Sequence, residues 1–386
     1  MEQNRTNCRS SYLYRFLTIL AGALSVYLIV AFLFPYHLAH REQYTLSEWL
    51  PTEPLKLTLY ITSAGICCGW ILRRLRLPRW IVYPLIACSM WVLALHACDI
   101  RGRWFYVPSQ SEERILAIDT EAHRNNWTRV QTLTVGCEND FNVYYHNLSL
   151  AHQGLLADSL LHHSAPFEYA LFYPIDDTGN YMSISAAGEV WWYVKDLTMA
   201  EHAAMLGQIF SPYHQGRRPL QRLYEINVCA GNQSSADKFA RILQAHNVPL
   251  PQVSPAPVRS EQDTLRLTYQ YDVMLRSTLE RNPQNKPALE YLLCLDLLWK
   301  NLNAFQSDIQ RFGLPSRSRL YQEAMLILMD MHQELREPWH DYIDAETYQD
   351  FVRCIQGFES KRSPKQMSEF RTTYWYYYRF HSRKQS

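Results

Sequence analysis

Three apolar runs lie in the first 98 residues of the chain, and the remaining 288 residues contain none of comparable length. The first run, Phe16 to Tyr36, has no charged residue. A helix of about 20 apolar residues, rising about 1.5 Å per residue, crosses the roughly 30 Å hydrocarbon core of a bilayer. The pattern therefore predicts a membrane domain, 1–98, with three transmembrane helices at about 16–36, 55–73 and 80–98.

Two other interpretations of these runs stay open. The first run also fits a cleaved signal peptide, with Arg5, Arg9 and Arg15 as its basic segment, although it is long for one and no small-residue cleavage site follows. The second and third runs also fit a pair of buried helices in a soluble domain. We favour a membrane hairpin for them because four arginines separate the two runs.

The positions of the basic residues predict an orientation. Lys and Arg concentrate in the cytoplasmic loops of membrane proteins. The segment before the first run and the loop Arg73–Arg79 are the basic ones. We therefore expect a multi-pass inner-membrane protein in contact with the lipid bilayer, with its N-terminus in the cytoplasm and residues 99–386 in the periplasm.

Composition narrows the choice of partners and compartments. Residues 99–386 carry 29 Lys and Arg against 33 Asp and Glu, so this part is mildly acidic and offers no basic field for nucleic acid. Cys229 and Cys294 lie on apolar faces of predicted helices, which favours buried free thiols. A disulfide in an oxidising compartment stays open, and the sequence does not name its pair.

Beyond a linker at 99–111, helical periodicity dominates residues 112–386. The clearest segment is LQRLYEINVCAGNQSSADKFARILQAHNVP, in which two amphipathic helices flank Gly231 and Pro249 follows. This order is the plan of a tetratricopeptide repeat. Helix pairs of this kind bury their apolar stripes by stacking on neighbours. The expected fold is therefore all-α, with transmembrane helices followed by a tetratricopeptide-like domain of stacked helix pairs, an α-solenoid.

Several segments together resemble a known family. They are NLSLAHQGLLADSLL, the glycine-turn pair at 220–249, NPQNKPALEYLLCLDLL, RLYQEAMLIL and TYWYYYRF. They resemble an uncharacterised family of Bacteroidota inner-membrane proteins that have N-terminal spans and a tetratricopeptide-like helical C-terminal half. The resemblance covers most of residues 80–380. It implies an inner-membrane location and no established activity, and it supplies no catalytic residues.

Candidate chemistry is sparse along the chain. No nucleophile, nucleotide-binding or metal-binding motif stands out, so we predict no metal and no cofactor, and we assign no catalytic residue. A polar and aromatic stretch offers four candidate site residues, which are Asp176, Asp177, Trp191 and Trp192. The aromatic, basic segment TTYWYYYRFHSRK fits either a final packed helix, which we favour, or a membrane-interface segment.

Two functions of different classes remain. The first is a membrane-anchored helical scaffold that binds a protein or peptide partner in the cell envelope, since concave helical-repeat surfaces commonly bind proteins. The alternative is an enzyme, or a subunit of one, of envelope glycan or lipid metabolism. Its site would lie at the junction of the membrane and soluble parts, between His37–Pro54 and Glu168–Gly188.

Overall fold

The computed structural model describes residues 110–136, 139–162, 168–175, 180–253 and 270–381, with the shorter pieces 22–25 and 35–44 and the single residues Leu20, Ser63, Ile66, Cys67 and Trp70. The chain divides into two compact units, Met1–Thr120 and Glu121–Ser386. The described residues form helices and turns without a strand, so the prediction of an all-α fold is confirmed.

The longer helices are labelled in chain order: α1 Pro35–Tyr44, α2 Gln110–His123, α3 Trp127–Thr134, α4 Asp140–His152, α5 Leu156–Ser159, α6 Tyr181–Tyr193, α7 Leu197–Phe210, α8 Arg217–Cys229, α9 Gln233–Ala245, α10 Tyr271–Arg281, α11 Lys286–Leu298, α12 Leu302–Phe312, α13 Arg319–Met331, α14 Arg336–Trp339, α15 Ala345–Glu359 and α16 Tyr374–Phe380. Short 3-10 turns stand at Leu160–His162, Glu168–Ala170, Pro212–His214, Gln333–Leu335, His340–Tyr342 and Ser368–Phe370.

The prediction of three transmembrane helices is contradicted. Among the described residues, no helix combines the length and the apolar character that a bilayer crossing requires. The multi-pass inner-membrane location and its orientation rested on those helices, so they are corrected with them. Most of the runs 16–36, 55–73 and 80–98 lies outside the described residues. An apolar run shows only that a segment can partition into lipid, whereas a span also requires about 20 residues of unbroken helix.

In the first unit, α1 is a polar helix that contacts α2 through polar side chains. Asp119 is fully buried, and the hydroxyl of Tyr44 donates to its Oδ2 at 3.2 Å. The Nε2 of His40 lies 3.4 Å from the same oxygen. The backbone N–H of Tyr36 donates to Glu113 Oε1 at 2.7 Å. These contacts join α1 to α2 through polar groups, and buried polar groups of this kind are normally paired.

One turn geometry recurs in the second unit. In the turns α2–α3, α6–α7, α8–α9 and α11–α12, the residue before the next N-cap has a positive φ; these residues are Asn125, Lys195, Gly231 and Lys300. The backbone N–H of the N-cap residue then donates to the carbonyl five residues earlier, as Asp196 does to Trp191 at 3.0 Å. This is the Schellman arrangement, which satisfies carbonyls that the helix end leaves free.

Three of these turns end in a residue whose side chain caps the next helix. Asp196, Asn232 and Asn301 each accept the N–H three residues on, which starts α7, α9 and α12. Asp196 and Asn232 are 36 positions apart, close to the period of about 34 residues in tetratricopeptide repeats. The predicted unit of helix, Gly231 turn and helix is therefore found at α8–α9.

The core of the second unit is aromatic. Phe172 stacks on Tyr271 at 4.5 Å between ring centroids and on Trp191 at 5.2 Å. Helices α6 and α7 approach closely beside this cluster, because a Cβ on Gly188 would lie only 2.9 Å from that of Ala203. Phe172 is fully buried by these contacts, and α6 begins at Tyr181.

The aromatic segment near residue 375 packs into the fold. The Trp375 indole N–H donates to the carbonyl of Glu323 at 2.9 Å, and the Tyr377 hydroxyl donates to that of Leu298 at 2.7 Å. Both side chains are buried, so packing, and not a membrane interface, accounts for them. Cys229 and Cys294 are buried, as expected from their apolar helix faces, and neither forms a disulfide.

Candidate functional site: the Trp192 groove

Two consecutive tryptophans at the end of α6 point in different directions. Residues next to each other on a helix are separated by about 100° around its axis. Trp191 therefore faces the core, where it is 1% exposed, and Trp192 is half-buried at the surface. Because α6 is anchored in the core by Trp191, the neighbouring Trp192 is held at the surface by a rigid helix. A rigidly held side chain suits a binding surface.

A buried carboxylate, that of Glu189, lies on the same helix, three residues before Trp192. Glu189 accepts from Arg218 at 2.9 Å and from Arg222 at 2.8 Å, and both arginines come from α8. Burial by itself would raise the pKa of Glu189, but the two guanidinium groups hold it at about 2. Glu189 is therefore ionised at neutral pH and fixes the positions of both arginines.

Cationic groups lie over the ring of Trp192. The Nζ of Lys195 is 4.3 Å and the Cζ of Arg222 is 4.5 Å from the ring centroid, both within the range of a cation–π interaction. Burial lowers the pKa of Lys195, and nearby Arg222 lowers it further. The indole thus has a defined orientation with positive groups beside it.

The surface around this ring forms a groove of about 300 Å³. We call it the Trp192 groove; it is lined by the end of α2, by Trp192, by Arg218, Arg222 and Glu225 of α8, and by 249–251. Arg222 also bonds Glu225 at 2.8 Å. Burial raises the pKa of Glu225. Lys195 and Glu189 lie beside the lining, in contact with Trp192 and with the two arginines. The cluster as a whole has three cations and two carboxylates, an excess of one positive charge.

An aromatic stack lies close to the same ionic cluster. The His152 ring lies 3.8 Å from that of Trp127, parallel to it, and 4.2 Å from that of Tyr193. Burial lowers the pKa of His152 to about 4, against the influence of Glu189. The imidazole is therefore neutral at pH 7 and acts here as a packing group.

Family comparison covers most of the chain. The model of a family of unknown function, DUF6057, matches residues 57–246 and 250–381. The chain belongs to the DUF6057 family. No curated protein matches this chain, and no solved structure does either. The resemblance to a family of unknown function is thereby confirmed, whereas the match supports neither the phylum nor the membrane nature that the resemblance implied.

In this DUF6057 chain, the four residues named from the sequence have different positions. Trp192 lines the groove, whereas Trp191 is part of the core. Asp176 and Asp177 lie outside the described residues, as do 45–54, so the junction site stays a prediction. Within the described ranges, no three His, Cys, Asp or Glu side chains are grouped closely enough to hold a metal ion.

The sequence reasoning missed Glu189, Arg218 and Arg222. A signal for Glu189 was present, since it is the single acidic residue in the otherwise apolar helix α6. A buried carboxylate requires a cationic partner. The sequence therefore indicates that a partner exists, but it does not show that α8 provides it.

Proposed function

We propose that this chain is a helical scaffold that binds an acidic peptide segment of a partner protein in the Trp192 groove. The observation that carries this proposal is the placement of Lys195 and Arg222 over the Trp192 ring. Trp and Arg are enriched among the residues that dominate the energy of protein interfaces. A peptide carboxylate would meet cations, and an adjacent apolar side chain would meet the indole.

The buried ion pairs support the same proposal. Because Glu189 already fixes Arg218 and Arg222, little side-chain entropy is lost when a peptide binds. The surplus positive charge of the groove favours an acidic segment over a basic one. Pro249 and Pro251 form part of the lining, and their restricted backbone keeps that side of the groove in shape.

The test is peptide binding to the full chain, measured by fluorescence anisotropy. The probe is a short labelled peptide rich in Glu with one Leu, and its counterpart has Lys in place of Glu. We expect the Glu peptide to bind more tightly. The substitution Lys195→Gln should weaken its binding by about tenfold, which corresponds to about 1.4 kcal/mol. Binding should also weaken as salt is raised.

A matched control is Lys286→Gln, which removes an exposed charge at the start of α11. It should leave the affinity unchanged. Equal binding of the Glu and Lys peptides, or equal loss in both variants, would show that the Trp192 groove is not the binding site.

A further inference from the structure

A second groove, of about 790 Å³, lies between α13 and α15. We call it the α15 groove. Its apolar lining consists of Leu326, Met329, Ile343, Tyr348, Phe351, Val352 and Ile355. The short helices between α13 and α15 contribute Arg336, His340 and Ile343 to one side. The volume is at the upper end of the range for specific ligand sites, about 300–1,000 Å³.

The sequence of α15 explains why this surface is apolar. One face of the helix, with Phe351 and Cys354, packs against Trp375 and Met367 in a core cluster. A second face carries Tyr348, Val352 and Ile355, spaced as i, i+4 and i+7. Tyr348 is 54% exposed and Val352 is 37% exposed. The apolar surface of α15 is thus wider than the face that packs against Trp375 and Met367.

The segment that supplies most of the lining is acidic, and two of its carboxylates, Asp330 and Glu359, lie in the lining together with Arg336. Residues 330–359 contain eight Asp and Glu and two Arg, a net charge of −6. Asp344 and Asp350 bond Gln322 and Arg319 of α13. The other six carboxylates are exposed side chains: Asp330, Glu334, Glu337, Asp341, Glu346 and Glu359. An apolar lining with an acidic surround calls for a ligand that is apolar on one side and basic at its edges.

We infer that the α15 groove binds an amphipathic helix of a partner protein, with Leu-like residues on its inner face and Lys or Arg along its flanks. A helix suits a trough between two helices, and its anchors repeat with the same spacing as Tyr348, Val352 and Ile355. The inference is independent of the peptide proposed for the Trp192 groove, because the two grooves share no lining residue.

Charge argues against two other occupants. In a symmetric contact between two copies of this chain, the same acidic surface would face itself, and like charges would repel. An anionic lipid surface would be repelled by the same carboxylates. The charge of the surround thus selects a basic protein helix.

The test uses the full chain and two synthetic helices that share one leucine face. One helix has lysine on its polar positions and the other has glutamate. We expect the lysine helix to bind, measured by isothermal titration calorimetry, and the glutamate helix to bind at least tenfold more weakly. Tyr348→Ser should weaken binding of the lysine helix about tenfold. The matched control is Tyr169→Ser, an equally exposed tyrosine outside the groove, and it should not change the affinity.

Three results would overturn the inference. Equal binding of both helices would show that charge plays no part. Self-association that Tyr348→Ser abolishes, measured by sedimentation velocity, would assign the groove to a second copy. Retention of the chain on anionic phosphatidylglycerol vesicles, lost in Tyr348→Ser, would assign it to lipid.

Discussion

The Trp192 groove and the α15 groove place their charges in opposite ways. At the Trp192 groove the central charges are buried and paired, since Arg218 and Glu189 are 2% and 6% exposed and bond each other. In the α15 groove the lining is mostly apolar, and the exposed carboxylates belong to the acidic segment 330–359 that supplies most of it. Buried pairs fix geometry at a cost in desolvation, whereas surrounding charges steer encounters and leave the affinity to apolar contact. The free energy of unfolding should therefore depend more on the buried charges at the Trp192 groove than on the exposed charges near the α15 groove.

The largest effect should follow from Glu189→Gln. This change leaves Arg218 buried without its counter-charge, so the free energy of unfolding should fall by about 3–5 kcal/mol. Urea unfolding monitored by circular dichroism measures it. Glu225→Gln is the control, because Glu225 pairs with the partly exposed Arg222, and it should cost less than about 1 kcal/mol. If Glu189→Gln and Glu225→Gln lowered the free energy of unfolding equally, the buried pair would have no special role in stability.

A second effect distinguishes helix α6 from helix α13 by pH. The pKa of Glu189 is lowered to about 2, so its stabilisation is full above about pH 4.5 and is lost as the pH falls toward 2. Glu323 of α13 behaves in the opposite sense, because burial raises its pKa to about 7. Its contribution is full below about pH 4.5 and is lost as the pH rises through 7.

Hydrogen exchange can locate these two responses. Amides of α6 and α8 should lose protection in acid, and amides of α13 should lose protection between about pH 5 and pH 8 after correction for intrinsic exchange. Glu323→Gln keeps an acceptor for the Tyr374 N–H, which donates to Glu323 Oε2 at 2.6 Å. The variant should abolish the response of α13, with a change in stability on the order of 1–3 kcal/mol. A pH response of α13 that survives Glu323→Gln would refute the assignment.

A smaller effect concerns association rates. The carboxylates around the α15 groove act over a distance of about 10 Å at 0.1 M salt. Raising the salt from about 50 mM to about 500 mM should slow association of the lysine helix about tenfold and change its dissociation rate little. Stopped-flow anisotropy measures both rates. A salt effect confined to dissociation would place the charges inside the contact and not around it.

The smallest effect concerns the helix end beside the α15 groove. Lys361 follows α15 with a φ of 53°, a backbone region that favours glycine. Lys361→Gly should raise the free energy of unfolding by about 0.5–1 kcal/mol. The reverse change, Gly231→Lys, should lower it by a similar amount. Thermal unfolding of the two variants tests the pair, and shifts of the same sign would contradict it.

Local features of the fold were predictable, and pairings across the fold were not. Gly231 between two amphipathic patterns predicted α8 and α9, because the signal for a helix end lies within a few residues. Trp191 and Trp192 were named together as candidates for a junction site, and the sequence did not distinguish the buried ring from the half-buried one. The partner of Glu189 lies 29 positions away, and that pairing depends on how α6 and α8 cross, which no local pattern encodes.

The membrane prediction failed for a different reason. Hydropathy of the segments 16–36, 55–73 and 80–98 measures transfer to lipid and does not show that a continuous helix forms. The charge pattern of the loops was then interpreted on the assumption of three spans, so the predicted topology inherited the same error.

The contacts of Trp375 have a consequence for biosynthesis. The Trp375 indole bonds the carbonyl of Glu323 across 52 positions of sequence, and Tyr374 binds the carboxylate of the same residue. Helix α13 therefore reaches its final packing only after residues 374 and 375 have left the ribosome. The Trp192 groove, whose residues all precede position 252, is synthesised much earlier. The residues of the Trp192 groove therefore leave the ribosome before the packing of α13 can be completed.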